Sequence, residues 1–155
     1  MRRSLATSVA FAALVLGGQA PSAHGQEQKG AKAPTLYQRL GGFDRLAATF
    51  DDVAPRMASD PQLARFFSGH ATDSDLRQRQ RLLELLCQET GGPCSYTGRP
   101  LKTAHAGLGV ISSADWNAFL KHFGASLDHL QFGKQEKTEL LSLVERYKSD
   151  VVEKP

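Results

Sequence analysis

Cysteine is scarce in this 155-residue chain, which contains only Cys87 and Cys94. Their spacing is not that of a C-x-x-C motif, so a catalytic redox pair is not expected. If the chain is exported, it meets an oxidising compartment in which the two thiols can form a disulfide. The alternative is two unpaired, buried thiols, and the spacing alone leaves both open.

Motifs of the common enzyme classes are missing as well. The sequence has no G-x-x-x-x-G-K phosphate loop, no G-x-S-x-G nucleophile elbow and no H-E-x-x-H zinc motif. It also lacks a basic stripe with interleaved aromatic residues, so we expect no nucleic-acid partner. The apolar fraction of 41% is nevertheless enough for one core, and the length is that of one domain.

Residues 1–25 have the pattern of a secretory signal peptide. Arg2 and Arg3 precede a short apolar run over 5–16, and small residues follow as far as Gly25. The apolar run is too short to span a bilayer comfortably, which disfavours a membrane anchor. We expect cleavage after Gly25, or alternatively after Ala23. The mature protein is then exported to a bacterial periplasm or the exterior, with no membrane attachment.

A polar leader over 26–34 follows the predicted signal peptide. It shows no periodicity and is expected to be disordered. Removing residues 1–25 lowers the count of Lys and Arg from 19 to 17 against 16 Asp and Glu, so the net charge falls from +3 to +1. The high isoelectric point therefore carries little information about partners.

From Thr35 to residue 152 the pattern is helical, and no strand pattern competes with it. The most periodic segment is 43–57, where apolar residues recur every three or four positions on one helix face. Pro55 lies inside this segment and predicts a kink or an early end. Further helices are predicted over 75–89, 101–106, 112–130 and beyond Gly133. We expect a single all-α domain over 35–152.

Two helix starts carry the spacing of a capping box. Thr35 with Gln38 predicts the start of a very short helix, which the glycines at 41 and 42 then break. Ser112 with Asp115 predicts the start of a long helix. Such boxes fix the point at which a helix begins.

Five histidines are candidate ligands or proton carriers: His24, His70, His105, His122 and His129. His24 leaves with the predicted signal peptide. His122 and His129 are seven residues apart on one helix, which allows a metal pair but favours two solvated histidines. Spacing alone favours a hydrogen-bonded structural role for His105, at the end of a short segment between glycines.

In their order and spacing, several segments resemble the group I truncated haemoglobins. The resemblance covers residues 36–152, nearly the whole predicted mature chain. Its marks are Leu40-Gly41-Gly42, the run from Asp60 to Phe67, Thr90-Gly91-Gly92-Pro93, Tyr96-Thr97-Gly98, and the run from Lys102 to Val110.

This resemblance implies a truncated-globin fold, a two-over-two helical sandwich of two helix pairs around haem. It places the proximal iron ligand at His105, which displaces the structural interpretation of that residue. It also places Phe67 against the haem ring, Lys102 within reach of a propionate and Tyr96 near the haem edge. Because no C-x-x-C-H motif occurs, the expected cofactor is non-covalent haem b.

On the distal side the sequence departs from many group I members, which carry a tyrosine donor on the second helix. Here that position falls on Ala54, which has no donor. The ligand-facing positions of the next helix fall on Gln78, Leu82 and Leu86, which are four residues apart and share one stripe. Gln78 is the one distal donor identified, so we expect a mostly apolar pocket with weaker oxygen retention than in tyrosine-bearing relatives.

Three functions compete at this point. The first is reversible binding of O₂ or another diatomic gas at a five-coordinate haem iron in a monomer. The second is a haem enzyme, a nitric oxide dioxygenase or weak peroxidase, which would need a separate reductase. The third is a haem-free helical interaction module. His70, in a polar loop, is a further candidate as an internal sixth ligand.

Overall fold

A computed structural model of the protein describes residues 32–69 and 71–153, and this part of the chain is helical without strands. The predicted signal peptide 1–25, most of the leader and His70 lie outside the described residues. The helices are α1 (Leu36–Leu40), α2 (Gly42–Ser59), α3 (Thr72–Glu89), α4 (Leu101–His105), α5 (Ser113–His129), α6 (Lys134–Glu145) and α7 (Lys148–Val151), with a short 3₁₀ helix at Ala64–Phe66.

Both predicted capping boxes are present. The Thr35 hydroxyl accepts a hydrogen bond from the Gln38 backbone, and the Gln38 side chain accepts one from Thr35. Ser112 and Asp115 form the same reciprocal pair at the start of α5. Gly41, at φ 95°, closes α1 and opens α2, a left-handed conformation that glycine adopts without strain.

Two pairs of helices form the sandwich. Helix α2 packs against α3, α5 packs against α6, and α2 against α5 joins the pairs. The buried side chains of these four helices form one core together with Leu40 of α1: Leu46, Val53, Leu83, Cys87, Trp116, Phe123, Leu127, Leu140, Leu143 and Val144. The predicted all-α, two-over-two architecture is confirmed.

Polar contacts hold the outer elements onto this core. Arg39 of α1 pairs with Glu136 at 2.8 Å and also with Glu139, both on α6. The Trp116 indole donates to the Glu145 carboxylate at 2.7 Å, which ties α5 to α6. The short helix α1 is therefore positioned by long-range contacts, since a helix of this length is not stable alone.

Helix α2 runs through Pro55 to Ser59, so the early end predicted there is wrong. A proline removes only one backbone donor, and the apolar face of α2 supplies enough packing to continue the helix. Helix α3 begins at Thr72, three residues before the predicted start. Within the described ranges, none of the helices combines the length and apolar character needed to cross a membrane.

Candidate haem site

His105 is the last residue of α4 and is half-buried. Its ring Nδ1 lies 2.8 Å from the backbone carbonyl oxygen of Leu101, one turn earlier. Because a carbonyl only accepts, Nδ1 is the donor, which leaves Nε2 as the ring nitrogen available to a metal. The ring is thus held in the tautomer and orientation that a metal-ligating imidazole requires.

The segment after His105 exposes apolar side chains that sequence reasoning missed. Leu108 is 42% exposed and Val110 is 64% exposed. Leu108 lies between Gly107 and Gly109 and Val110 follows them in the same loop, and that apolar pattern next to a candidate ligand was the signal available in the sequence. The loop is held at its far end, where the Glu153 backbone donates to the Ile111 carbonyl at 3.0 Å.

The predicted distal residues lie on two packed helices. Gln78 is exposed and Leu82 and Leu86 are half-buried on α3, while Ala54 is half-buried on α2. In the described part of the chain, no hydrogen bond involves the Gln78 amide. Ala54 and Leu82 lie outside the core cluster, so the core does not account for their burial.

Phe67 follows the 3₁₀ helix as its C-cap residue, half-buried and likewise outside the core cluster. The turn that carries Phe67 is held by hydrogen bonds to the side chain of Asp115. That buried carboxylate accepts hydrogen bonds from Arg65 at 2.8 Å and from Gln62 at 3.2 Å. The Arg65 guanidinium also stacks over the Phe66 ring at 4.2 Å.

Tyr96 lies in the segment that joins α3 to α4. Its hydroxyl donates to the Arg99 carbonyl at 2.7 Å, and its ring covers Gly98 so closely that an added Cβ there would collide with it. Lys102 is exposed on α4, three residues before His105. The roles of Tyr96 at the haem edge and of Lys102 at a propionate stay predictions.

The two remaining described histidines pair separately with carboxylates of the α2 region. His122 Nε2 lies 2.6 Å from Asp60, and His129 Nδ1 lies 2.9 Å from Asp52. Each pair bridges α5 to α2 or its end. Within the described ranges, no group of three or more His, Cys, Asp or Glu side chains could hold a metal ion.

These features fit a haem better than a bare metal ion. A haem needs one imidazole from the protein, apolar side chains against the porphyrin and cations near its propionates. His105 offers the imidazole nitrogen, and Lys102 offers a cation. Apolar surface that the rest of the protein does not cover is offered by the half-buried Leu82 and by the exposed Leu108 and Val110.

Comparison with known proteins gives relatives across the whole helical domain. The sequence model of the family described as bacterial-like globin matches residues 35–153. A group 1 truncated hemoglobin of Nostoc commune is 38% identical over 90 residues, covering 58% of this chain and 73% of that protein. One from Nostoc sp. strain MUN 8820 is 32% identical over 120 residues, covering 77% and 98% respectively.

Solved structures share the fold. The Fe(III) form of the truncated hemoglobin from Tetrahymena pyriformis matches with a TM-score of 0.69 at 25% identity, covering 78% of this chain and 100% of that one. The structure of Chlamydomonas reinhardtii THB1 matches with a TM-score of 0.65 at 25% identity, covering 78% and 98%.

Proposed function

Because the chain belongs to the bacterial-like globin family, as a group 1 truncated haemoglobin, we propose that it binds haem through His105 and reversibly binds a diatomic gas at the opposite face of the iron. Haem is the cofactor of this family. Oxygen is the default gas, with nitric oxide and carbon monoxide as alternatives.

One observation supports this proposal most directly: the hydrogen bond from His105 Nδ1 to the Leu101 carbonyl. It makes Nδ1 the donor and leaves Nε2 as the ring nitrogen that can ligate iron.

The distal residues support a gas ligand held with little hydrogen bonding. Ala54, Leu82 and Leu86 carry no donor, so the Gln78 amide is the one proposed to reach the ligand. Bound oxygen draws negative charge and gains stability from a donor, whereas carbon monoxide depends far less on one. We therefore infer fast oxygen release compared with relatives that carry a distal tyrosine.

We propose that this activity takes place outside the cytoplasm, in the periplasm or outside the cell. The sequence of residues 1–25 has a signal-peptide pattern, and Cys87 and Cys94 form a disulfide. Disulfides persist in the periplasm and outside cells and are rare in a reducing cytosol. The two features are independent of each other and point to the same compartment.

The test is an absorption spectrum of the purified protein in its ferric, ferrous and ferrous–carbon monoxide forms. Wild type is expected to show a Soret band that shifts with each form. His105→Gly should lose the haem or its five-coordinate ferrous spectrum, and added imidazole should restore it. His129→Gly, at an exposed histidine on α5, is the matched control and should retain the wild-type spectrum. Colourless wild-type protein from haem-supplemented cells would overturn the proposal.

A further inference from the structure

The segment 91–100, here named the strap, is the covalent connection between the helix of the predicted distal residues and the helix of His105. It begins at the end of α3 and finishes at the start of α4. A disulfide joins Cys94 of the strap back to Cys87 of α3, with 5.7 Å between the Cα atoms. The strap therefore folds back along the last turns of α3 instead of leaving it.

Hydrogen bonds hold the strap beyond the disulfide. The Tyr96 backbone donates to the Gln88 side chain at 2.8 Å, and the Thr97 hydroxyl donates to the Glu84 carboxylate at 3.0 Å. Arg81 also contacts Thr97. Gln88, Thr97 and Arg81 are exposed, whereas Tyr96 and Glu84 are half-buried, so water competes on at least one side of each contact and weakens it.

Helix α4 depends on the strap because it has little else to hold it. It has five residues, its N-cap residue is Pro100, and no side chain caps its first turn. A helix of one turn does not form without outside contacts. Among the described elements, α7 is the one helix with which α4 makes substantial contact.

We propose that the Cys87–Cys94 disulfide is a positioning element for His105, so that the oxidised protein holds haem more tightly than the dithiol form. The disulfide is the one covalent cross-link between the strap and α3, beside the backbone hydrogen bonds from Gly91 and Gly92 to α3 and the packing of Cys94 against the core. With it broken, residues 93–100 keep only non-covalent contacts with α3, and we expect the imidazole of His105 to be held less closely at one distance from α3. This inference rests on the proposed function.

Reduction of this bond requires a dithiol reductant, and the accessible sulfur is that of Cys94. Cys94 is half-buried, whereas Cys87 is 0% exposed. A thiolate of the reductant attacks Cys94 Sγ and releases the Cys87 thiolate. The second thiol of the reductant then attacks the mixed disulfide, releases the Cys94 thiolate and becomes a disulfide itself. The two protons of the reductant end on Cys87 and Cys94.

The experiment measures the rate of haem transfer from the ferric protein to an excess of a haem-accepting apoprotein. Wild type in its disulfide form is compared with the Cys87→Ser, Cys94→Ser double variant and with wild type treated with dithiothreitol. Both are expected to lose haem about tenfold faster than the oxidised protein, a difference of about 1.4 kcal/mol. Dithiothreitol should not change the rate of the double variant, which controls for its action on iron.

A second readout separates positioning from a general loss of stability. Leu140→Ala removes a fully buried side chain of α6, outside the strap, and serves as a destabilised control that keeps the disulfide. The iron–histidine stretching frequency of the ferrous protein is expected to shift in the double variant and to stay unchanged in Leu140→Ala. An unchanged frequency together with an unchanged rate of haem loss would overturn the inference while leaving the proposed function intact. Absence of haem from the oxidised wild type would instead overturn the proposed function.

Discussion

The Arg65 guanidinium lies 2.8 Å from the Asp115 carboxylate and joins the turn that carries Phe67 to the first turn of α5. Asp115 is 3% exposed, and Ser112 donates to the same carboxylate at 2.7 Å. Burial on its own would raise the pKa of Asp115. The hydrogen bonds from Ser112, Arg65 and Gln62 outweigh it and lower the pKa to about 2.

Asp115→Asn is expected to destabilise the protein by about 2 kcal/mol at neutral pH, because it weakens several hydrogen bonds to a buried charge. The folded pKa of Asp115 is about 2, below its ordinary value of 3.8, so its contribution is present above about pH 4 and is lost as the pH falls toward 2. Urea unfolding of both proteins between pH 2 and 7 measures the difference.

The matched control for this prediction is Asp128→Asn, at a residue whose side chain is 66% exposed and pairs with Lys137 on the surface. It should change stability by less than about 1 kcal/mol, as exposed ion pairs do. A difference between wild type and Asp115→Asn that is constant across the whole pH range would contradict the assigned role of the Asp115 charge.

Gln78→Leu is expected to speed oxygen dissociation about tenfold, since it removes the donor proposed to contact the bound gas. Gln80→Leu changes an exposed glutamine on another side of α3, whose amide donates to Glu84 at 3.2 Å, and should leave the rate unchanged. Stopped-flow dissociation of oxygen from the ferrous protein provides the measurement. Equal rates for Gln78→Leu and wild type would show that Gln78 is not the donor.

Gly92→Ala and Gly124→Ala are expected to change stability with opposite signs. A Cβ at Gly92 would lie 2.7 Å from Cys87 Sγ and 2.8 Å from the Cys87 carbonyl oxygen, so the substitution should cost about 1–3 kcal/mol. At Gly124, inside α5, a Cβ would meet only Lys137 Cε at 3.9 Å. Alanine there should stabilise the protein by about 1 kcal/mol. Denaturant midpoints of the two variants test this, and a shift in the same direction would refute it.

Leu108→Ser and Val110→Ser are expected to weaken haem binding without lowering the stability of the apoprotein. Both side chains are exposed in the protein alone, so their loss should change its unfolding free energy by less than about 0.5 kcal/mol. Against a porphyrin each would contribute about 1.5–3 kcal/mol of apolar burial, which corresponds to roughly tenfold or more in haem affinity. Haem titration and urea unfolding of the apoprotein separate the two effects. Unchanged affinity in both variants would remove this loop from the haem site.

Short-range features of the fold were readable from the sequence because their causes lie within a few residues. The capping boxes at Thr35 and Ser112 each need one partner three positions away, and both formed as expected. The glycine-bounded end of α4 at His105 was predicted for the same reason. Periodicity likewise sufficed to identify the apolar face of α2.

Long-range features could not be predicted, because spacing along the chain does not fix distance in space. The spacing of Cys87 and Cys94 allows either a disulfide or two free thiols. The disulfide forms because the strap folds back on α3. Asp115 was recognised as a helix cap, but its partner Arg65 lies fifty residues earlier. At Pro55 the helix continues because packing of α2 against four elements, α1, α3, α5 and the 3₁₀ helix, outweighs one missing hydrogen bond.

The complete burial of Cys87 has a practical consequence for recombinant production. Thiol reagents do not reach this sulfur in the folded protein, so a batch that folds in a reducing cytosol and keeps two thiols is not distinguished by native labelling from one that folds in an oxidising compartment and gains the bond. The batches share one sequence and differ by two hydrogen atoms. Intact-mass spectrometry after thiol labelling under denaturing conditions determines which form a batch contains. It should therefore precede any comparison of colour or gas affinity between laboratories.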